Sequence, residues 1–315
     1  MPAASPPRDA AIRTGSKSFA MASRLFDPAT RDLVWDLYAW CRHCDDVVDG
    51  QTLGHDRVAG TDRDARLAAL RAGTDAAFAG TADPADPFGA LARVVAATGL
   101  PRRLADDHLA GFAMDTDGRL YATVDDTLDY CYHVAGVVGL MMAWVMGGPA
   151  LRAPRRAPAL GRAPEWSNSA GDVGGVRGAG RVYVPADWLR AAGVTLRPGV
   201  PLDAATAAHL APLAARLVAE AERYYDAAWY GMPHLPGRSA WAVATARRVY
   251  RDIGRAVVAL GADAWTSRTI VGTPAKLARL VQAGVDTVWL RTARRIAGAP
   301  DRRGLFTPPT VAMLG

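Results

Sequence analysis

Apolar residues recur along this chain with the 3.6-residue period of helices. The stretch 31–49 shows it most clearly, because Leu33, Val34, Leu37, Cys41, Cys44 and Val48 all fall on one face. Asp27-Pro28 stands just before it, a capping acid followed by a proline suited to the first helical turn. The same period predicts helices over 63–78, 87–97, 102–114, 127–146, 204–230, 239–260 and 274–297. Proline and glycine separate them at 83–87, 99–101, 197–201, 231–237 and 272–274. No strand-like alternation and no internal repeat competes with this pattern. An all-α, single-domain bundle around a central cavity is therefore expected.

Two segments depart from that simple reading. Residues 134–151 carry no charge, which touches the length of a membrane span. Gly147, Gly148 and Pro149 cut the run to about 13 residues, a length that suits a buried core helix. The second segment, 147–180, is interrupted by Pro149, Pro154, Pro158 and Pro164, crowded with arginine, and has no apolar stripe. Taken alone it reads as a loop or linker, long for a compact domain.

Composition adds little to the fold but bears on partners. The net charge is +6, and lysine occurs only at Lys17 and Lys276, so the excess is almost all arginine. Such a balance follows from a biased composition, and it also suits anionic lipid or a polyanionic substrate. Three cysteines, Cys41, Cys44 and Cys131, make no disulfide framework. Cys41 and Cys44 form a C-x-x-C, but no second ligand pair lies at zinc spacing, and both sit on the apolar face of a helix, so they read as core residues. A reducing, cytoplasmic setting is expected. The first ten residues lack the apolar region of a secretion signal.

The chemistry concentrates in Arg42-His43-Cys44-Asp45-Asp46-Val47-Val48-Asp49. Asp45 and Asp49 are four apart and share a helix face, with Tyr38 and Arg42 continuing the stripe toward the N-terminus. Two neighbouring carboxylates repel unless a cation joins them, and such a pair offers the hard oxygen ligands that Mg²⁺ prefers. The bland reading is a charged helix end. Acids in a last turn oppose the helix dipole, which makes that reading strained. His43 lies one residue off the stripe and is not taken as a base, and His133 reads equally well as a buried helix residue.

These residues resemble the squalene and phytoene synthase family. Its first Asp-rich motif is similar to Asp45-Asp46-Val47-Val48-Asp49, preceded by Tyr38 and Arg42. Ser16-Lys17-Ser18-Phe19 resembles its diphosphate-contacting segment. Its central helices are similar to Gly111-Phe112-Ala113-Met114-Asp115 and to Tyr130-Cys131-Tyr132-His133-Val134-Ala135-Gly136-Val137-Val138-Gly139. Gly180-Arg181-Val182-Tyr183-Val184-Pro185, then Trp188-Leu189, resembles its later signature, and Leu235-Pro236 with the stretch around Tyr250 resembles its C-terminal helices. The likeness spans about 14–297 and is strongest to bacterial, phytoene-forming members.

One part of the pattern is altered. The family's second Asp-rich motif precedes the Gly-Arg-Val-Tyr signature, and here Asn168 and Asp172 keep their places in it. Glu165 stands for the motif's glutamine, Gly171 for its arginine and Val176 for its second aspartate. The spacing is unchanged, so local sequence damage or a divergent, impaired paralogue accounts for it better than an insertion. Gly171, Gly174 and Gly175 together weaken a helix there by about 3 kcal/mol relative to alanine.

The resemblance implies a domain over 14–298, atypical within 148–180, with tails at 1–13 and 299–315. It implies a prenyltransferase that joins two geranylgeranyl diphosphates head to head, through a cyclopropyl diphosphate, to phytoene in carotenoid biosynthesis. Mg²⁺, or Mn²⁺ in its place, is the implied metal, held by Asp45, Asp49, Asn168 and Asp172. No NADPH is expected. Ser16, Lys17, Ser18, Arg42, Arg181 and Tyr250 are the implied diphosphate contacts, with Arg24 a further candidate. Asp45, Asp49, Asp172, Tyr38 and Arg42 are the implied catalytic set. The alternatives are a non-catalytic partner at the membrane and a synthase acting on farnesyl diphosphate. A cytoplasmic enzyme peripheral to the inner membrane face is expected, near downstream carotenoid enzymes and with no nucleic-acid partner.

Overall fold

A computed structural model describes residues 22–49, 63–116, 121–151, 183–196, 202–229, 232, 235–265 and 272–293. Every regular element among them is helical. They are α1 (Pro28–Asp49), α2 (Arg63–Ala79), α3 (Pro87–Thr98), α4 (Arg102–Thr116), α5 (Val124–Cys131), a π turn (Tyr132–Gly136), α6 (Val137–Leu151), α7 (Ala186–Ala191), α8 (Ala204–Trp229), α9 (Gly237–Leu260), a 3₁₀ turn (Gly261–Trp265) and α10 (Thr273–Ala293).

Local chemistry explains the starts. The Asp27 carboxylate accepts from the Thr30 amide at 3.0 Å, and Pro28 begins α1. Asp86 caps α3 through the Gly89 amide ahead of Pro87 at the first turn. Thr123 and Asp126 form a reciprocal capping box on α5. Gly99 ends α3 with φ +62°, a backbone region glycine enters without a Cβ penalty.

The expected apolar face of α1 is the core face. Val34, Leu37, Cys41, Cys44 and Val48 are buried, with Leu33 packed against them. Trp40, outside the predicted stripe, is fully buried as well. This face packs on α3 and α6, and more lightly on α2 and α4. The bidentate pair of Arg93 with the buried Asp36, at 2.9 and 3.0 Å, ties α1 to α3. A second core lies between α8, α7 and the segment around Val184, built on Leu210, Leu217, Tyr225 and Trp188.

All three cysteines are free and buried, as expected of core residues. Burial raises the Cys41 and Cys44 thiols well above their ordinary range, with Asp45 adding to both.

Three features differ from the sequence reading. The predicted single helix 127–146 is two helices joined by the π turn. α6 continues through the Gly-Gly-Pro to Leu151, following a stretch in which Val137, Leu140, Met141, Val145 and Met146 are buried and packing outweighs local propensity. α7 was not anticipated, since six residues show too little periodicity to detect. Among the described residues no single helix is long and apolar enough to cross a membrane. Val137, Leu140, Met141 and Val145 of the uncharged run lie in the core. The terminal tails and most of 148–180 fall outside the described residues.

Candidate active site

The polar stripe of α1 runs along the edge of its buried face. Tyr38 and Arg42 are largely covered, whereas the Asp45 side chain keeps 44% of its surface exposed. The predicted polar wall is therefore covered at its Tyr38 end and open at its acidic end. Asp49 is the last residue of α1.

Burial pushes the Tyr38 hydroxyl up to about 12. Arg42 opposes that shift, while Asp45 and then Tyr250 reinforce it. Tyr38 is thus a neutral phenol across the physiological range, able to donate a hydrogen bond to an anion. Tyr250 of α9 therefore lies within electrostatic range of Tyr38, a residue more than two hundred positions earlier in the chain.

The turn of α9 that carries Tyr250 is fastened on both sides. Arg247 donates to the Tyr225 carbonyl and to Asp226, at 3.0 Å each, and lies over the Trp229 ring. Arg251 pairs with Glu222. On the other side Arg248 meets Asp286, and Asp252 accepts from Arg279. Burial and the neighbouring Arg251 lower Arg247 to about 10, which still leaves it charged.

Arg42 is engaged differently from expectation. Its guanidinium donates to Asp46 at 2.8 Å, whereas Asp45 stands 3.9 Å away. Asp46, off the predicted stripe, is therefore the acid that takes the short bond from Arg42, and Asp45 stands farther from that guanidinium. The i, i+4 spacing of Arg42 and Asp46 was the signal for this pair.

His43 turns toward α3, with its ring 5.3 Å from Phe88. Burial lowers its pKa, against the pull of Asp46 and Asp86. His133 binds the Asp129 carbonyl through Nδ1 at 2.8 Å. Neither is placed as a base for this site. Arg24 is exposed.

Three supports escaped the sequence reading. Tyr132 donates to Asp107 at 2.6 Å, joining the π turn to α4. Tyr130 stacks on Tyr183 at 5.0 Å between centroids, with the hydroxyls 3.2 Å apart, and Tyr121 leans on both. Thr127 donates to the Tyr183 carbonyl at 3.2 Å, so the later signature is fastened to α5. Only the aromatic content of these motifs hinted at the stack. The third support is His108, fully buried between Trp40 and Phe112, with ring centroids at 5.4 and 4.8 Å.

The structure thus brings Tyr38, Arg42, Asp45 and Tyr250 into one region. Ser16, Lys17, Ser18, Asn168, Asp172 and Arg181 lie outside the described residues. Among the described residues no three of His, Cys, Asp or Glu gather as a metal cluster. Asp45, with 44% of its side chain exposed, offers a carboxylate of the kind a hard cation takes.

The sequence profile of the family described as squalene/phytoene synthase matches residues 12–279. The phytoene synthase of Pseudescherichia vulneris is 48% identical over 301 residues, covering 95% of this chain and 96% of that protein. The 15-cis-phytoene synthase of Pantoea ananas is 45% identical over 300 residues, with 95% and 96% covered. Among solved structures, a dehydrosqualene synthase in complex with ligand aligns with a TM-score of 0.73 and 26% identity, covering 88% of this chain and 94% of that one. With a family match across most of its length and relatives similar from end to end, the chain belongs to the squalene/phytoene synthase family.

Proposed function

We propose that this protein is a phytoene synthase, joining two geranylgeranyl diphosphates head to head. End-to-end similarity to phytoene synthases carries the reading, and the stripe of Tyr38, Arg42 and Asp45 on α1, with Tyr250 of α9 within electrostatic range of Tyr38, supports it.

Asp45 is the described residue suited to hold Mg²⁺, with Asp49, Asn168 and Asp172 as its partners in the family pattern. When bound, the metal neutralises charge on the diphosphate leaving group and so assists C–O ionisation. Tyr38 and Tyr250 supply neutral phenols that donate to diphosphate oxygens. Arg42, partly neutralised by Asp46, contributes a smaller positive field than a lone guanidinium would. Ser16, Lys17, Ser18 and Arg181 complete the diphosphate contacts in this reading. The buried apolar face of α6 helps keep water from a carbocation.

The first stage joins two chains as a cyclopropyl diphosphate, releasing one diphosphate and one proton. The second stage ionises that intermediate, rearranges it and loses a second proton. No hydride is consumed, so no NADPH is required. The enzyme is placed in the cytoplasm, peripheral to the membrane, where downstream carotenoid enzymes take its product.

One observation favours a second reading, an impaired enzyme. Gly171 and Val176 remove a guanidinium and a carboxylate from the second motif. Incubating pure protein with geranylgeranyl diphosphate and Mg²⁺, followed by product identification, separates the readings. A C40 hydrocarbon is expected. Its absence, or a C30 product from farnesyl diphosphate alone, would refute the assignment.

A further inference from the structure

His108 is 1% exposed, yet neither of its ring nitrogens has a hydrogen bond of ordinary geometry among the described residues. Trp40 and Phe112 meet the ring in edge contacts, at 5.4 and 4.8 Å between centroids, so it packs as an apolar aromatic would. The Trp40 indole N–H beside it is likewise buried with no partner among the described residues. A buried polar group without a good hydrogen bond costs stability, and a phenylalanine would meet the same neighbours without that cost. Packing alone therefore does not account for an imidazole at this place.

The π turn lies against the same part of α4. There the Val137 amide bonds the Tyr132 carbonyl, five residues back. Such a turn puts the helical ladder out of step by one residue, and a carbonyl within it then needs a partner from outside the helix. The His133 carbonyl faces α4, since a Cβ at Gly111 would stand 3.0 Å from its oxygen. Gly111 and His108 are three apart and share that face of α4. The His133 backbone also acts on the His108 ring, favouring its protonated form against burial. Asp107, next to His108, accepts from the Tyr132 hydroxyl at 2.6 Å. Neighbours on α4 thus engage neighbours in the π turn.

We propose that His108 is a positioning residue, whose neutral ring presents its N–H to the His133 carbonyl and so fixes the π turn between α5 and α6. The turn aims α5, with Tyr130 stacked on Tyr183, and α6, whose Val137 and Met141 are fully buried. On its other side the ring rests on Trp40, which lies between Tyr38 and Arg42 along α1. His108 in this way spaces α1 from the central helices and acts on the site through them. The inference rests on the proposed reaction, because the site it positions is the one that reading assigns.

The test compares the full chain with His108→Phe, His108→Asn and His108→Gln, the last two keeping an N–H donor near one or the other ring nitrogen. At neutral pH His108→Phe should melt no lower than the parent. Hydrogen exchange at the amides of residues 134–138 should quicken about tenfold in that variant, the scale of one lost hydrogen bond. Its kcat for C40 product should fall about tenfold with KM within about twofold of the parent. At least one of the two amide variants should restore slow exchange and most of kcat. Unchanged exchange or unchanged kcat in His108→Phe overturns the inference. So does a His108→Phe that melts several degrees lower, because the ring then serves packing, or a failure of both amide variants to restore exchange. A parent that forms no C40 product counts against the proposed reaction, and exchange at the π turn then decides by itself whether His108 holds it.

Discussion

Side chains four residues apart on α1 divide the work of the site. Arg42 spends its short contact on Asp46, and Asp45, with 44% of its side chain exposed, stands 3.9 Å from the same guanidinium. Asp45→Asn should lower phytoene formation by about a hundredfold or more, the scale expected when a metal ligand is removed. Its melting temperature should stay within about a degree, because a 3.9 Å contact to Arg42 at a half-exposed carboxylate contributes little. Retained turnover would remove Asp45 from the mechanism. His108 makes a different prediction. It makes no hydrogen bond of ordinary geometry among the described residues, and burial lowers it to about 4, offset only partly by the His133 backbone. The unfolded chain binds its proton near 6.5, so the native state loses stability as pH falls from 6.5 toward 4. That loss reaches roughly 2 kcal/mol by pH 5. His108→Phe keeps the aromatic contacts and should flatten the fall in melting temperature between pH 7 and 5. An identical slope in the variant would assign the acid sensitivity elsewhere.

At the scale of elements, the close approach of α4 to the π turn decides how the central helices meet. A Cβ at Gly111 would stand 2.9 Å from the His133 carbonyl carbon and 3.0 Å from its oxygen. Backbone on that side has little room to yield. Gly111→Ala gains about 1 kcal/mol of helix propensity, but overpacking costs about 1–3 kcal/mol. The net expectation is a destabilised protein melting a few degrees lower, measurable by calorimetry, and a stabilised variant would mean that the contact relaxes freely. Glycine at 111 was visible in the sequence, but its reason was not. Periodicity located α1, α2, α3, α4, α8, α9 and α10 to within a few residues. It missed the π turn, because one inserted residue changes hydrogen bonding without breaking the apolar pattern. Tyr121, Tyr130 and Tyr183 likewise come from separate segments, and no local period records their stacking.

For the whole molecule, the proposed reaction calls for two walls supplied by distant parts of the chain. One wall is α1, and the other in this reading contains Asn168 and Asp172, beyond the described residues. Restoring charge to the second motif with Val176→Asp should raise turnover several-fold, since it returns a lost metal ligand. Unchanged or lower kcat would show that the altered motif is not a simple defect. Steady-state kinetics with geranylgeranyl diphosphate settle the comparison.

By itself the sequence determined the helical class, the core face of α1, the acid pair on its polar edge and the family, because each is written in local period or in residues close together along the chain. Only the tertiary structure decided that Tyr250 comes within electrostatic range of Tyr38, that Asp46 rather than Asp45 takes the short bond from Arg42, and that one apolar face of α10 looks outward. Contacts of that kind depend on which surfaces meet after the chain has folded, and a helical repeat reads the same whether its apolar face turns to a neighbour or away from one.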